Sequence, residues 1–436
     1  MSNSDRRVVV TGIGILSPIG TGTEDYWESI AAKRSGVAKI ERLSATAVPG
    51  NVGAEVREWF DDGTARKGLL KPQRKSVKVM CREIQLGVGS ANLALIESNL
   101  DLDAINHERL GVEFGANQMS SPPEVLGDSC GVSADENGVF EFERWGNEGL
   151  PTMDPLWLLK YLPNMPACHI GIHADARGPN NSLTMAEASG NNVLAEALRI
   201  IKRDRADMML AGACGSRIHA TKCMHATLWD EMAEFNGDDD PATWARPFDA
   251  SRRGQIVAEG ACTFILEAEE HATARGADIL GTILGAGSSC VISRDGQPDH
   301  KQALINAMRC TLSDAGVAAA DIGHINAHGL GTKQSDVDEA AAIHEVFGDI
   351  GSSVPVTSLK GYIGNSGAAS GILELAASLL GLKHGVIPAT LNCTEIDSEC
   401  NLNVVTGHDL ETSNKLVLNV NVTSNGQAAA VVASGV

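Results

Sequence analysis

The chain has 436 residues, 43% of them hydrophobic, 21% charged and only 4% aromatic, and its 55 acidic against 35 basic side chains leave a formal net charge of −20. This composition excludes a disordered chain, and at roughly 150 residues per domain the length excludes a small stapled scaffold while leaving room for two to three domains or one large fused unit. The acidic balance also excludes a surface built to neutralise many phosphates, so no nucleic-acid partner is expected.

The basic stretch Arg66 to Lys78 reads as a solvated helix face, with an acidic carrier protein as the partner such a patch would otherwise receive. The 10 cysteines show no CxxC pair and no framework spacing, as expected of reduced, mostly buried thiols. The start, Met1 to Arg7, is polar and leads straight into Val8 to Val10, unlike a secretory signal, and no apolar run is long enough to span a membrane. A cytoplasmic protein is expected.

In chain order, short Val/Ile/Leu runs alternate with Ala-rich helical stretches, the pattern of an α/β protein with helices on both faces of mostly parallel strands. In a first half, strands are predicted at residues 8–11, 112–115, around 182–186, 208–212 and 262–267, with a helix over 77–99 among the helices between them. In a second half, strands are predicted at 279–285, 324–327, 354–358, 416–422 and 428–433, and helices near 300–315, 336–346 and 367–384. A small-residue helix follows a short strand at 187–203 and again at 365–384, a faint internal repeat that periodicity alone does not decide. The division into halves is expected at 1–258 and 259–436. Residues 128–164, rich in Gly, Asp and Pro, read as an insertion anchored by Trp145, Met153, Trp157 and Tyr161, which either caps a site, buries itself in a partner or packs on its own domain.

Gly12 and Gly14 follow the opening strand but lack the third glycine and the helix start of a dinucleotide turn, and there is no phosphate-binding GxxxxGK[ST] loop, so no nucleotide cofactor is expected. Nor does any metal-ligating pattern stand out. His328, in Asn326-Ala327-His328-Gly329, and Lys360, after Val356-Thr357-Ser358, both sit at carboxyl ends of predicted strands, where such sheets bind ligands. Together with Asp336 and Glu339 they suggest a polar cluster at one sheet edge. Glu187 opens the first small-residue helix, where free N–H groups favour a negative group; its apolar sequence flank predicts a partly desolvated charge.

Several motifs in register resemble one family. Arg246-Pro247-Phe248-Asp249, Ala258-Glu259-Gly260-Ala261, Asn326-Ala327-His328-Gly329 and Ser358-Leu359-Lys360 with Gly364 and the Gly367 to Gly371 turn are similar, in order and spacing, to the beta-ketoacyl-ACP synthases of the elongating type. The resemblance implies a thiolase-like fold, two similar βαβαβαββ halves forming a five-layered α-β-α-β-α core, and a dimer. It also implies a nucleophilic cysteine at the head of a buried helix, two histidines and a lysine, an acyl carrier protein as partner, and no cofactor.

At the reacting positions the sequence departs from that pattern. Glu187 stands in the cysteine's place, and a carboxylate cannot form the acyl thioester that elongation needs. His328 and Lys360 match the first histidine and the lysine, while Asn365 takes the second histidine's place. Leu330 replaces one of two threonine hydroxyls offered to the pantetheine arm and Thr332 keeps the other, a difference of roughly 1 kcal/mol. The glycine-phenylalanine gate becomes Val422-Thr423-Ser424-Asn425-Gly426.

The expected function is a non-elongating homologue in fatty acid or polyketide-type metabolism, similar to the chain-length factors, which pair with a cysteine-bearing ketosynthase. Those carry glutamine where this chain has Glu187, and an ionised Glu187 would repel a malonyl carboxylate. The alternatives are an acyl-thioester enzyme of altered chemistry, with Glu187 as general base and His328 and Lys360 as donors, and a non-catalytic acyl-binding homodimer.

Overall fold

A computed structural model describes residues 6–59, 63–234 and 236–436. Of the expected absence of a leader at Met1 to Arg7, only Arg6 and Arg7 fall within the described residues. Among these residues no helix is long and apolar enough to cross a membrane.

Topology settles the repeat that periodicity left open. In the first half Asn180–Leu183, Leu110–Ala116 and Met208–Ser216 run parallel, followed by Glu259–Ala268 and Val8–Ser17, each antiparallel to its neighbour. In the second half Pro355–Thr357, His324–Asn326 and Leu416–Val422 run parallel, followed by Gln427–Gly435 and Gly281–Cys290, again antiparallel. The order and sense are the same in both. Val8 to Val10 pair with Gly281 to Ile283, so the two five-stranded units join into one sheet, with the short Asn403–Val404 added at one edge. Glu259–Ala268 belongs to the first unit, which moves the division between halves from the expected 258/259 to the segment after Ala268.

The paired helices Ser189–Lys202 and Ser370–Lys383 form the central layer. The second is buried throughout residues 370–382, and Ile372, Leu373 and Leu375 have no exposed surface, each contributing about 1.5–3 kcal/mol of apolar burial. The two helices approach so closely that a Cβ on Gly190 would lie 2.9 Å from the Ile372 amide nitrogen. Any larger residue at 190 would push the halves apart. Arg82–Glu97 covers the outer face of the first unit and His300–Ala315 that of the second, completing the five layers of the thiolase-like fold. Helix, sheet, helix pair, sheet and helix follow one another, as the resemblance implied.

Most strand and helix expectations hold, with most strands running a few residues longer than their apolar runs, but the strand expected around 182–186 is Asn180–Leu183 and the helix expected over 77–99 runs only from Arg82 to Glu97. Residues 128–164 fold into a chain of short helical turns, with Met153 buried and Leu159 and Tyr161 packed against the first half's core. None of them lines the cleft described below, so the segment does not cap it.

Candidate active site

The parallel strands of both units end at one cleft of about 520 Å³. Its floor is the head of the first central helix. There Ala186 adopts φ 43, a strained value for a residue with a side chain, and the tight turn Ala186–Ala188 lifts Glu187 into the cleft before Ser189–Lys202 begins. Ser189 Oγ accepts from the Met185 amide at 2.9 Å, fixing the turn.

Glu187 is not in the apolar surroundings its sequence flank suggested. Its Oε1 accepts a hydrogen bond from Asn365 Nδ2 at 3.0 Å and lies 3.8 Å from Arg217 Nη1, and its side chain is 13% exposed. Gln255 Oε1 ties the two partners together, accepting from Arg217 Nη1 at 2.6 Å and Asn365 Nδ2 at 2.7 Å, while Arg217 also pairs with Asp230. The carboxylate therefore has a cation and an amide beside it, and the repulsion of a malonyl carboxylate expected from a lone charge is offset by Arg217.

His328 is 1% exposed yet lines the cleft. Its Nδ1 faces two donors, Asn421 Nδ2 at 3.2 Å and Lys360 Nζ at 3.5 Å, so Nδ1 accepts and the proton is assigned to Nε2. Burial, with the Lys360 ammonium next in effect, holds the imidazole well below its ordinary range. The group is thus a neutral N–H donor, able to polarise a carbonyl oxygen.

Glu339 fixes the loop that carries it. One carboxylate oxygen accepts from the His328 amide at 2.7 Å and the other from the Gly329 amide at 2.8 Å, and burial pushes this carboxyl up to about 8. Asp336 accepts from the Gly331 and Phe248 amides at 3.0 and 2.8 Å, and burial raises it to about 6. Gly329 has φ 44, and a Cβ there would meet Ser358 Oγ at 2.5 Å, so only glycine lets the two loops touch. The expected cluster of His328, Lys360, Asp336 and Glu339 at a sheet edge is corrected in this respect: both acids are fully buried braces of backbone and neither lines the cleft.

Lys360 is corrected likewise. It is 2% exposed, pairs with Glu374 and donates to the His328 carbonyl at 2.9 Å, behind the imidazole and not among the groups lining the cleft. Glu374 Oε2 accepts from Asn421 Nδ2 at 2.7 Å, and the network continues through Asn191 to Asn419, crossing from one half to the other. Of the two donors the altered-chemistry alternative named, only His328 lines the cleft.

Leu330, Thr332, Val422 and Ser424 do line the cleft. Thr332 precedes the helix Lys333–Phe347 without capping it, which leaves its hydroxyl for a ligand. Sequence reasoning missed Arg217, Gln255, Asn421 and Glu374. It also missed His300, whose Nε2 lies 3.1 Å from the Ser424 carbonyl and which Asp338 raises above its ordinary range. Arg217 was findable, since it follows directly on the carboxyl end of Met208–Ser216, and so were Asn419 and Asn421, polar at a spacing of two in the buried strand Leu416–Val422.

Twin units, a central helix pair and a cleft joining a helix-head turn to a buried imidazole define a thiolase-like ketosynthase architecture. The beta-ketoacyl synthase N-terminal domain family matches residues 5–272 and the C-terminal domain family residues 280–394, and the chain belongs to the beta-ketoacyl synthase family. Nodulation protein E of Rhizobium meliloti is 34% identical over 400 residues, 92% of each chain. Actinorhodin polyketide putative beta-ketoacyl synthase 1 of Streptomyces coelicolor is 32% identical over 434 residues, 98% of this chain and 88% of that one. Among solved structures, the ishigamide ketosynthase/chain length factor superposes with a TM-score of 0.83 at 28% identity, covering 99% of both chains. A beta-ketoacyl synthase from Burkholderia phymatum superposes with 0.84 at 26%, covering 99% of this chain and 100% of that one.

Proposed function

We propose that this chain is a non-elongating ketosynthase homologue of the chain-length-factor kind, the partner of a cysteine-bearing ketosynthase in fatty acid or polyketide-type metabolism. One observation carries the reading: at the helix-head turn the cleft presents Glu187, held by Asn365 and Arg217, and no cysteine is among the residues lining the cleft. A carboxylate cannot store an acyl chain as a thioester, and Asn365 offers no imidazole to share the work with His328. Burial raises the thiols of Cys214 and Cys223, which makes neither a substitute nucleophile. The likeness to a ketosynthase/chain length factor structure supports the same reading.

An acyl carrier protein is the proposed second partner. Lys67, Lys71, Arg74, Lys75 and Lys78 are exposed on an otherwise acidic chain and offer an acidic carrier a complementary face. The 3-oxoacyl-[acyl-carrier-protein] synthase 2 of Coxiella burnetii, 31% identical over 401 residues, is a relative whose name includes such a carrier.

Co-expression with a cysteine-bearing ketosynthase followed by native mass spectrometry tests the pairing. A one-to-one complex is expected; a stable homodimer carrying bound lipid would instead favour the acyl-binding reading. The purified chain alone is expected to release no carbon dioxide from radiolabelled malonyl-ACP, because only the Nε2–H of His328 remains to polarise the thioester.

A further inference from the structure

Beside the main cleft lies a second chamber of about 200 Å³, separated from it by Ser120 and Lys222, which line both. Three cations border it. Arg82 is taken up by Glu259, with Nε 2.7 Å from Oε2, and Lys222 by Glu83 at 2.8 Å. The third, Arg42, makes no ion pair among the described residues; it donates to the Ile218 carbonyl. Of the carboxylates nearest to it, Glu259 is engaged by Arg82, and Glu55 accepts from the backbone amides of Glu41 and Arg42 at 2.7 and 3.3 Å. Arg42 is therefore the one cation at the chamber without a direct ion pair, its charge met only at a distance by Glu259 and Glu55.

A donor completes it. His219 caps the helix Ala220–Trp229, its Nδ1 accepting from the Thr221 amide at 3.2 Å, which leaves the ring proton on Nε2. That Nε2 is buried and has no hydrogen-bond partner, a deficit ordinarily met by a ligand or a water. Burial lowers this imidazole to about 4, aided by Lys222 on its own helix and Arg42 on the neighbouring segment and opposed by Glu124 on the Pro123–Val132 helix. The remaining walls are Met119, Pro122, Ile218, Tyr161 and Cys81, interrupted by Ser120 and Ser216.

We propose that this side chamber is a binding site for a small organic carboxylate, its anionic end held by the Arg42 guanidinium and the His219 Nε2–H and its carbon skeleton against Met119, Pro122 and Tyr161. At about 30 Å³ per water-sized group, the chamber takes a ligand of roughly six or seven heavy atoms, the size of a short dicarboxylate. The guanidinium fork matches a carboxylate, and the apolar walls select against an inorganic anion, which has no carbon to bury. The inference does not depend on the chain's role toward a partner synthase, because it uses none of the groups around Glu187.

Titration of the purified full chain with malonate, followed by isothermal calorimetry and by NMR of the ring-labelled histidines, tests it. Saturable binding is expected, with a shift of the His219 resonances and a rise of its titration midpoint by about one pH unit or more, since a bound anion favours the imidazolium. Arg42→Met weakens binding about tenfold or more. His219→Asn, which keeps a cap for the helix while withdrawing the Nε2 donor, weakens it with the fold intact. Absence of saturable binding, equal binding of malonamide or inorganic phosphate, or malonate binding unchanged in folded Arg42→Met or His219→Asn protein would each overturn the assignment.

Discussion

The cleft has two sides that obey different constraints. On the open side stand Glu187, Leu330 and the 422–424 segment, with Asn365 just behind Glu187, the positions where the sequence reading expects a departure from the elongating synthases. On the closed side His328, Lys360, Glu374, Asn421, Asn191 and Asn419 form one buried network that ties the two halves together. Side chains in the dry interior are fixed by one another, because removing one strands its partner without water or charge to replace it. Glu187 and Leu330 on the open side border the cleft and are tied to fewer buried partners, so a change there is expected to leave the fold standing.

The largest test of that contrast is Lys360→Met. It leaves Glu374, which has no exposed surface, without its cation, and is expected to destabilise the chain by about 3–5 kcal/mol in denaturant unfolding. A loss comparable to that of a surface substitution would dissolve the distinction between the two sides.

The second test is pH. The Glu339 carboxyl titrates at about 8 in the folded chain against an ordinary 4.5, so it binds its proton more tightly when folded. Its contribution is complete below about 4.5 and is lost as pH rises toward 8, and its share of the unfolding free energy should fall across that window by up to about 1.4 kcal/mol per unit. The difference between the unfolding free energies of the wild type and of Glu339→Gln checks this, because the buried imidazoles His219 and His328, both held low, raise total stability with pH below about 6.5: the difference should fall across the window, and a difference that rises contradicts the burial argument.

On the open side, Glu187→Gln keeps an acceptor for Asn365 and gives up only the partly exposed contact with Arg217, so a change within about 1 kcal/mol is expected by the same unfolding assay. The smallest effect belongs to Leu330→Thr. Restoring a hydroxyl beside Thr332 should tighten binding of a pantetheine-bearing carrier by roughly 1 kcal/mol, read as about a fivefold fall in Kd.

Much of this was legible in the sequence, and the limits have physical causes. The alternating apolar runs placed the strands, and the motifs around His328 and Lys360 placed both at the cleft's end of the sheet. What stayed hidden was direction. A lysine at a strand's end reads as facing solvent or substrate, and only the fold shows Lys360 turned inward onto Glu374. Glu187 looked isolated because its partners, Arg217 and Asn365, lie 30 and 178 residues away in the chain, the latter separation being that of its hydrogen bond. Asp336 and Glu339 were recognised as belonging near His328, but a carboxylate that caps backbone amides and one that meets a ligand have the same sequence signature.

The central claim is that this chain stores no acyl chain as a thioester. Intact-protein mass spectrometry of this chain, co-expressed with a cysteine-bearing ketosynthase and exposed to an acyl-loaded carrier protein, addresses it most directly. The account predicts that the acyl mass appears on the ketosynthase alone and that this chain's mass is unchanged. Acyl mass on this chain, mapped to any of its thiols, would contradict it.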